Sequence, residues 1–125
     1  MKSGGNPADA RGHFMKALEK IEQTVNGLTD FEKVCFEHFA LNYKDLATNL
    51  EDNANWVDFA YCAEYIPARQ LRGVFSSLEK KDLIFYAECD ETTYYVTGLA
   101  VACWFYIHDK EEFDKCDAEV LEQYI

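Results

Sequence analysis

The sequence lacks a segment able to cross a membrane. Its longest apolar run, residues 98–107 (GLAVACWFYI), falls well short of the ~20 residues a spanning helix requires. The opening residues MKSGGNPADARGHF contain no apolar stretch of the signal-peptide kind, so a cytoplasmic, non-membrane protein is expected. No Cys-x-x-Cys pair occurs, and Cys35, Cys62, Cys89, Cys103 and Cys116 are odd in number and mostly set among apolar neighbours. That pattern argues for reduced, structural thiols rather than a disulfide framework or a zinc site. The chain also has no phosphate-cradling Gly loop, no HExxH and no carboxylate–histidine grouping with metal spacing. Cys35 and His38 stand at helical i, i+3 spacing inside an apolar stripe, a poor place for a solvent-accessible nucleophile. A non-enzymatic protein with no cofactor and no metal is the expectation. Bases are scarce too: 12 Lys and Arg stand against 23 Asp and Glu, a net charge of −11.

What remains is a chain of 125 residues, 49% hydrophobic, which suits one globular domain with a real core. The charge is unevenly spread. Residues 67–81 carry Arg69, Arg72, Lys80 and Lys81 against Glu79, a net of +3, while residues 30–66 reach −6. The clearly basic segment is short and internal.

Apolar spacing places the elements. Residues 1–6 read as a frayed lead-in. From Pro7, a helix with Phe14, Ala17, Leu18, Ile21, Val25 and Leu28 on one face ends at Asn26-Gly27. Thr29-Asp30-Phe31-Glu32 has the capping-box spacing and starts a second helix, whose stripe runs through Phe31, Val34, Cys35, His38, Phe39 and Asn42. His38 reads as an interior or boundary histidine. Periodicity fades over 44–55, where the Asn- and Asp-rich composition favours a loop. Residues 56–66 read as a short strand or bend followed by a short helix.

Pro67 suits the first position of a third helix. There Leu71, Val74, Phe75 and Leu78 form a compact inner face, and Arg69, Arg72, Gly73, Ser76, Ser77 and Lys80 lie opposite. A strand at 84–89, a turn at 90–92 and a β-rich partner strand at 93–97 follow as a hairpin. Residues 98–108 form a nearly all-round apolar helix. A final helix from about Glu111 carries Phe113, Cys116, Val120, Leu121 and Tyr124.

An amphipathic helix with a basic outer face, preceded by a short helix and followed by a hairpin, resembles the winged helix-turn-helix of bacterial and phage proteins, including MarR-like regulators. The phrases LEKKDLI at 78–84 and YVTG at 95–98 carry the resemblance, which covers about residues 29–100. It implies a mainly α fold with a small β-hairpin, in which a winged-helix domain (29–100) is extended by an N-terminal helix (1–28) and C-terminal helices (101–125). Five or six helices and a two-stranded wing are expected. Two positions depart from the family pattern. Asp82 stands where a glycine usually ends the helix, and the wing tip is Glu88, Asp90 and Glu91 where DNA-gripping wings carry bases.

The resemblance implies a transcriptional regulator that binds duplex DNA. Arg69 and Arg72 would read base edges in the major groove, Gln70 would reach adenine, and Ser76, Ser77, Lys80 and Lys81 would complete the DNA-binding set, the serines and Lys80 on phosphates. The alternative is an acidic winged-helix module that binds a basic protein partner, as an adaptor or as a DNA-mimicking inhibitor, with Glu88, Asp90 and Glu91 on its surface. Two-fold dimers are common among such regulators. The apolar faces of the first helix (Phe14, Leu18, Ile21) and the last (Phe113, Val120, Leu121, Tyr124) are the expected contact, unless both pack on their own domain.

Overall fold

The computed structural model describes residues 7–52, 54–88 and 91–125, with side chains described from Lys16 onward in the first helix. The lead-in at 1–6, the Phe14 side chain, and Cys89 and Asp90 of the expected wing tip lie outside the described residues. Within them the chain is mainly helical with one small antiparallel sheet. No helix among the described residues is long and apolar enough to cross a membrane.

Helix α1 (Pro7–Asn26) ends where the Asn-Gly pair predicts, with the Gly27 N–H donating to the Gln23 and Thr24 carbonyls. Helix α2 (Asp30–Glu37) opens on the expected capping box. The Glu32 N–H donates to Thr29 Oγ1 at 3.2 Å, and the Thr29 N–H donates to Glu32 Oε1 at 2.8 Å. The helix stops at Glu37, short of the stripe predicted to reach Asn42. Beyond it the chain finds other partners: Ala40 exchanges backbone hydrogen bonds with Trp56, and the Asn42 N–H donates to Asn55 Oδ1.

The expected loop over 44–55 is instead interrupted by α3 (Leu46–Asp52). Leu46, Asn49 and Leu50 are buried on its inner side, and Asp45 Oδ2 accepts from the Thr48 N–H and hydroxyl, as an N-terminal cap does. Asn49 is the reason polarity misleads here. Its amide accepts from the Tyr43 N–H and donates to the Tyr43 and Asp45 carbonyls, so it is a buried cross-brace rather than a loop residue.

Strand β1 (Trp56–Asp58), α4 (Phe59–Cys62) and α5 (Ala68–Lys80) follow. Pro67 sits at the N-cap of α5, one residue before the predicted position. Strands β2 (Ile84–Tyr86) and β3 (Thr93–Val96) form the hairpin, but β1 pairs with β3 as well. The sheet is therefore three-stranded, in the order β1-β3-β2, and not the predicted two-stranded wing. Helix α6 (Gly98–His108) is the apolar helix, capped by Thr97. The expected single final helix is two, α7 (Lys110–Lys115) and α8 (Ala118–Tyr124), broken at Cys116 and Asp117; the described helices number eight, not five or six.

Helix α5 is closed by a left-handed residue just past its C-cap. Asp82 is the one non-glycine among the described residues with positive φ, at 60°. The Leu83 N–H donates to the Leu78 carbonyl and the Asp82 N–H to that of Glu79, while Leu78 and Leu83 are both buried. This is a Schellman closure with its hydrophobic contact, built on aspartate where glycine is usual.

The first and last elements close the core. Helix α1 packs on α6 and α8, Cys103 of α6 lies against the Ile21 carbonyl, and Tyr106 donates its hydroxyl to Glu22 at 2.9 Å. Ile21, Phe113 and Leu121, expected at a subunit contact, are buried inside the chain's own core. Burial also pushes the Cys103 thiol up to about 12, in keeping with a structural role.

Candidate functional site: the outer face of α5 and the outer face of the sheet

Leu71, Phe75 and Leu78 bury the inner side of α5, with Val74 packed beside them. Phe75 meets both Phe59 and Tyr94 at ring-centroid distances of 4.9 Å, which locks the helix against the inner face of the sheet. The outer side is thereby fixed in direction. Arg69, Gln70, Arg72, Gly73 and Lys80 are exposed there, and Ser76 and Ser77 are half-buried. A Cβ added at Gly73 would meet nothing within 4 Å, so packing does not demand glycine at that position. It leaves a bare strip of backbone on the exposed face. Burial raises the Tyr94 hydroxyl, the Glu79 charge raises it further and Arg72 opposes, so an acid and a base of α5 both lie within electrostatic reach of Tyr94.

Lys81 is brought elsewhere. Its ammonium lies 2.6 Å from Glu32 Oε1 and donates to the Gly27 carbonyl at 2.9 Å. Glu32 is only 1% exposed. Burial pushes its carboxyl up, but Lys81, the Thr29 N–H and the nearby Ser77 hydroxyl outweigh this and hold it below the ordinary range. Glu32 Oε2 has no hydrogen-bond partner among the described residues. Lys81 is thus the counter-ion that ties α5 to α2, and Ser77 belongs to the same junction. Of the acids expected at the hairpin tip, Glu88 and Glu91 are exposed.

A second surface leaves no simple mark in the sequence. The register pairs Trp56 with Tyr95 and Phe85 with Tyr95, so three aromatic side chains form one row across the outer face of the sheet. Trp56 is 41% exposed and Phe85 46%. Beside Trp56, Tyr61 and Tyr65 are exposed, with the His38 ring stacked on Tyr65 at 4.3 Å and edge-on to Tyr61 at 5.0 Å. The available signal was strand alternation, since every second residue of a one-sided sheet faces outward. Aromatic residues stand on both faces here, Tyr94 on the inner and Trp56, Phe85 and Tyr95 on the outer, which hides it. No group of three or more His, Cys, Asp or Glu side chains converges on a possible metal position among the described residues. Comparison with protein-family models, with curated proteins and with solved structures found no match to this chain.

Proposed function

We propose that this chain is a winged-helix protein that reads duplex DNA through α5 and acts in transcriptional regulation. The observation that carries the reading is the outer face of α5. An amphipathic helix is anchored by its apolar side, turns two guanidiniums, an amide, an ammonium and a bare glycine to solvent, and leads through a tight turn into a hairpin. In this reading Arg69 and Arg72 reach guanine edges, for which a planar guanidinium is the best-matched side chain, and Gln70 contacts adenine. Ser76 and Lys80 hold phosphates, and Gly73 lets the sugar–phosphate backbone come close. Lys81 and Ser77 have a supporting role, since they fix the helix to Glu32.

A second reading has its own support. The loss of Lys81 to Glu32, the exposed Glu79, Glu88 and Glu91, and the net charge of −11 favour an acidic protein-binding module. Selection of bound duplexes from a random DNA library at low salt separates the two. Enrichment of a defined motif, lost in an Arg69→Glu/Arg72→Glu variant, is the expected result. Arg72→Ala is expected to cost about 1–3 kcal/mol and relax preference at one base pair, whereas Lys80→Ala weakens all sequences alike and reduces the salt slope. Absence of any enriched motif would refute the DNA reading and leave the protein-binding one.

A further inference from the structure

The two faces of the sheet differ in kind. Val57, Tyr94, Val96 and Ile84 share the inner face, where α5 packs through Phe75. Trp56, Tyr95 and Phe85 share the outer one, with Asp58 opposite Thr93 in the next row. Phe85 and Tyr95 touch at a centroid distance of 5.4 Å. At the Trp56 end the row opens into a hollow of about 520 Å³, lined by Trp56, Tyr61, His38, Glu37 and Asp58 among others.

The rim of this hollow is built, not loose. Asp58 caps α4, accepting from the Ala60 N–H at 2.8 Å and the Tyr61 N–H at 3.2 Å, which holds its carboxylate beside the Tyr61 backbone. His38 braces Tyr61 and Tyr65 from behind. Glu37, at the end of α2, is exposed at the mouth. No lysine or arginine is among the described residues that line the hollow.

Ring faces carry negative potential, and two carboxylates add to it with no lysine or arginine among the described lining residues. An anionic strand could stack on the same rings but would meet Glu37, Asp58 and the overall charge. A guanidinium satisfies both features at once, because it is planar, stacks on aromatic faces, pairs with carboxylates and is more weakly hydrated than an ammonium. We propose that the hollow between Trp56 and Tyr61 receives an arginine side chain from a basic segment of a partner protein. Trp56 and Tyr61 provide the ring faces, and Glu37 and Asp58 the counter-charge. The site names the ligand chemistry for the protein-binding reading and is independent of DNA binding by α5, which lies across the opposite face of the sheet.

The test uses the full chain and a short Gly/Ser peptide carrying arginines, alongside the same peptide with citrulline in place of arginine. In a Trp104→Phe background, Trp56 is the sole tryptophan and reports occupancy by fluorescence. The arginine peptide is expected to quench Trp56 saturably, and the citrulline peptide is not. By anisotropy of dye-labelled peptide, Tyr61→Ala and Glu37→Gln, both at exposed side chains, each weaken binding roughly 3- to 30-fold. Glu119→Gln, at an exposed position of α8 outside the lining of the hollow, removes the same charge and leaves affinity unchanged. Circular dichroism melts confirm that each variant is folded. Equal weakening by Glu37→Gln and Glu119→Gln would reveal diffuse attraction only and overturn the proposal. So would equal binding of the citrulline peptide, no binding of either peptide, or quenching of Trp56 by oligothymidylate instead of the peptide. None of these outcomes alters the duplex selection, so the two ideas fail separately.

Discussion

Replacing Lys81 by methionine keeps the apolar stem and removes only the ammonium that faces Glu32, so it isolates the ion pair joining α5 to α2. Losing one partner of a fully buried pair costs about 3–5 kcal/mol, because the other charge is left stranded. Here Glu32 is 1% exposed but the Lys81 side chain is 33% exposed, which moves the pair part of the way toward the ~0–1 kcal/mol of surface pairs. The expected cost is therefore about 2–3 kcal/mol, including the hydrogen bond to the Gly27 carbonyl. Urea unfolding followed by circular dichroism reads it as a shifted midpoint at constant slope. The pH dependence has a definite sign. In the parent chain the Glu32 carboxyl lies below its ordinary 4.5, so its stabilising contribution is present above that value and is lost as pH falls through the folded one. Without Lys81 the carboxyl loses the largest of the influences that hold it down and rises relative to the parent chain, so the penalty of the substitution shrinks in acid. Adding Glu32→Gln to Lys81→Met should recover most of the loss, since glutamine still serves the capping box. A cost below about 0.5 kcal/mol at neutral pH, or one that does not shrink in acid, would refute the assignment of Lys81 as a structural counter-ion.

Three further substitutions test separate features. Asp82→Gly relieves a left-handed residue and removes an anion from a helix C-terminus, at some cost in unfolded-state entropy; a net gain of about 1 kcal/mol is expected, read calorimetrically as a rise of roughly 3–5 °C. Gly98→Ala should destabilise by about 1–3 kcal/mol despite better helix propensity, because the new Cβ would lie 2.7 Å from the Tyr124 carbonyl oxygen; a neutral or stabilising result in the same urea assay would show that α8 yields freely. Gly73→Ala, with open space around it, should gain about 0.5–1 kcal/mol of stability. If Gly73 admits the DNA backbone, that variant also binds the selected duplex more weakly, and unchanged affinity would remove the residue from the interface.

The legible parts of this fold are those governed by neighbours in sequence. Asn26-Gly27 ends α1, Thr29 with Glu32 starts α2, and Leu71, Val74, Phe75 and Leu78 set the inner side of α5, each through interactions within a turn or two. The misread parts depend on side-chain bonding or on distant partners. Asn49 favours a loop by composition, yet it is buried in α3 with its amide braced on Tyr43 and Asp45; Asn55 does lie in the expected loop, accepting from Asn42 and donating to the Asn49 carbonyl. Glu32 was readable as a cap, but its ion pair with Lys81 spans 49 positions and leaves no local mark. The α5 face was found because it is periodic. The aromatic row was not, because Trp56, Phe85 and Tyr95 become neighbours only once three strands from separate segments are in register.

That register has a kinetic consequence. The hairpin's second strand is the middle strand, hydrogen-bonded to β2 on one side and to β1 on the other. It cannot peel away with its turn as an isolated ribbon would, because Trp56 and Val57 would have to let go at the same time. Amides in β3 should therefore exchange with solvent only in openings close to global unfolding. The sheet also has to wait for residues on either side of α5 to meet, so its assembly belongs to the slow, non-local stage of folding, after the helices have formed.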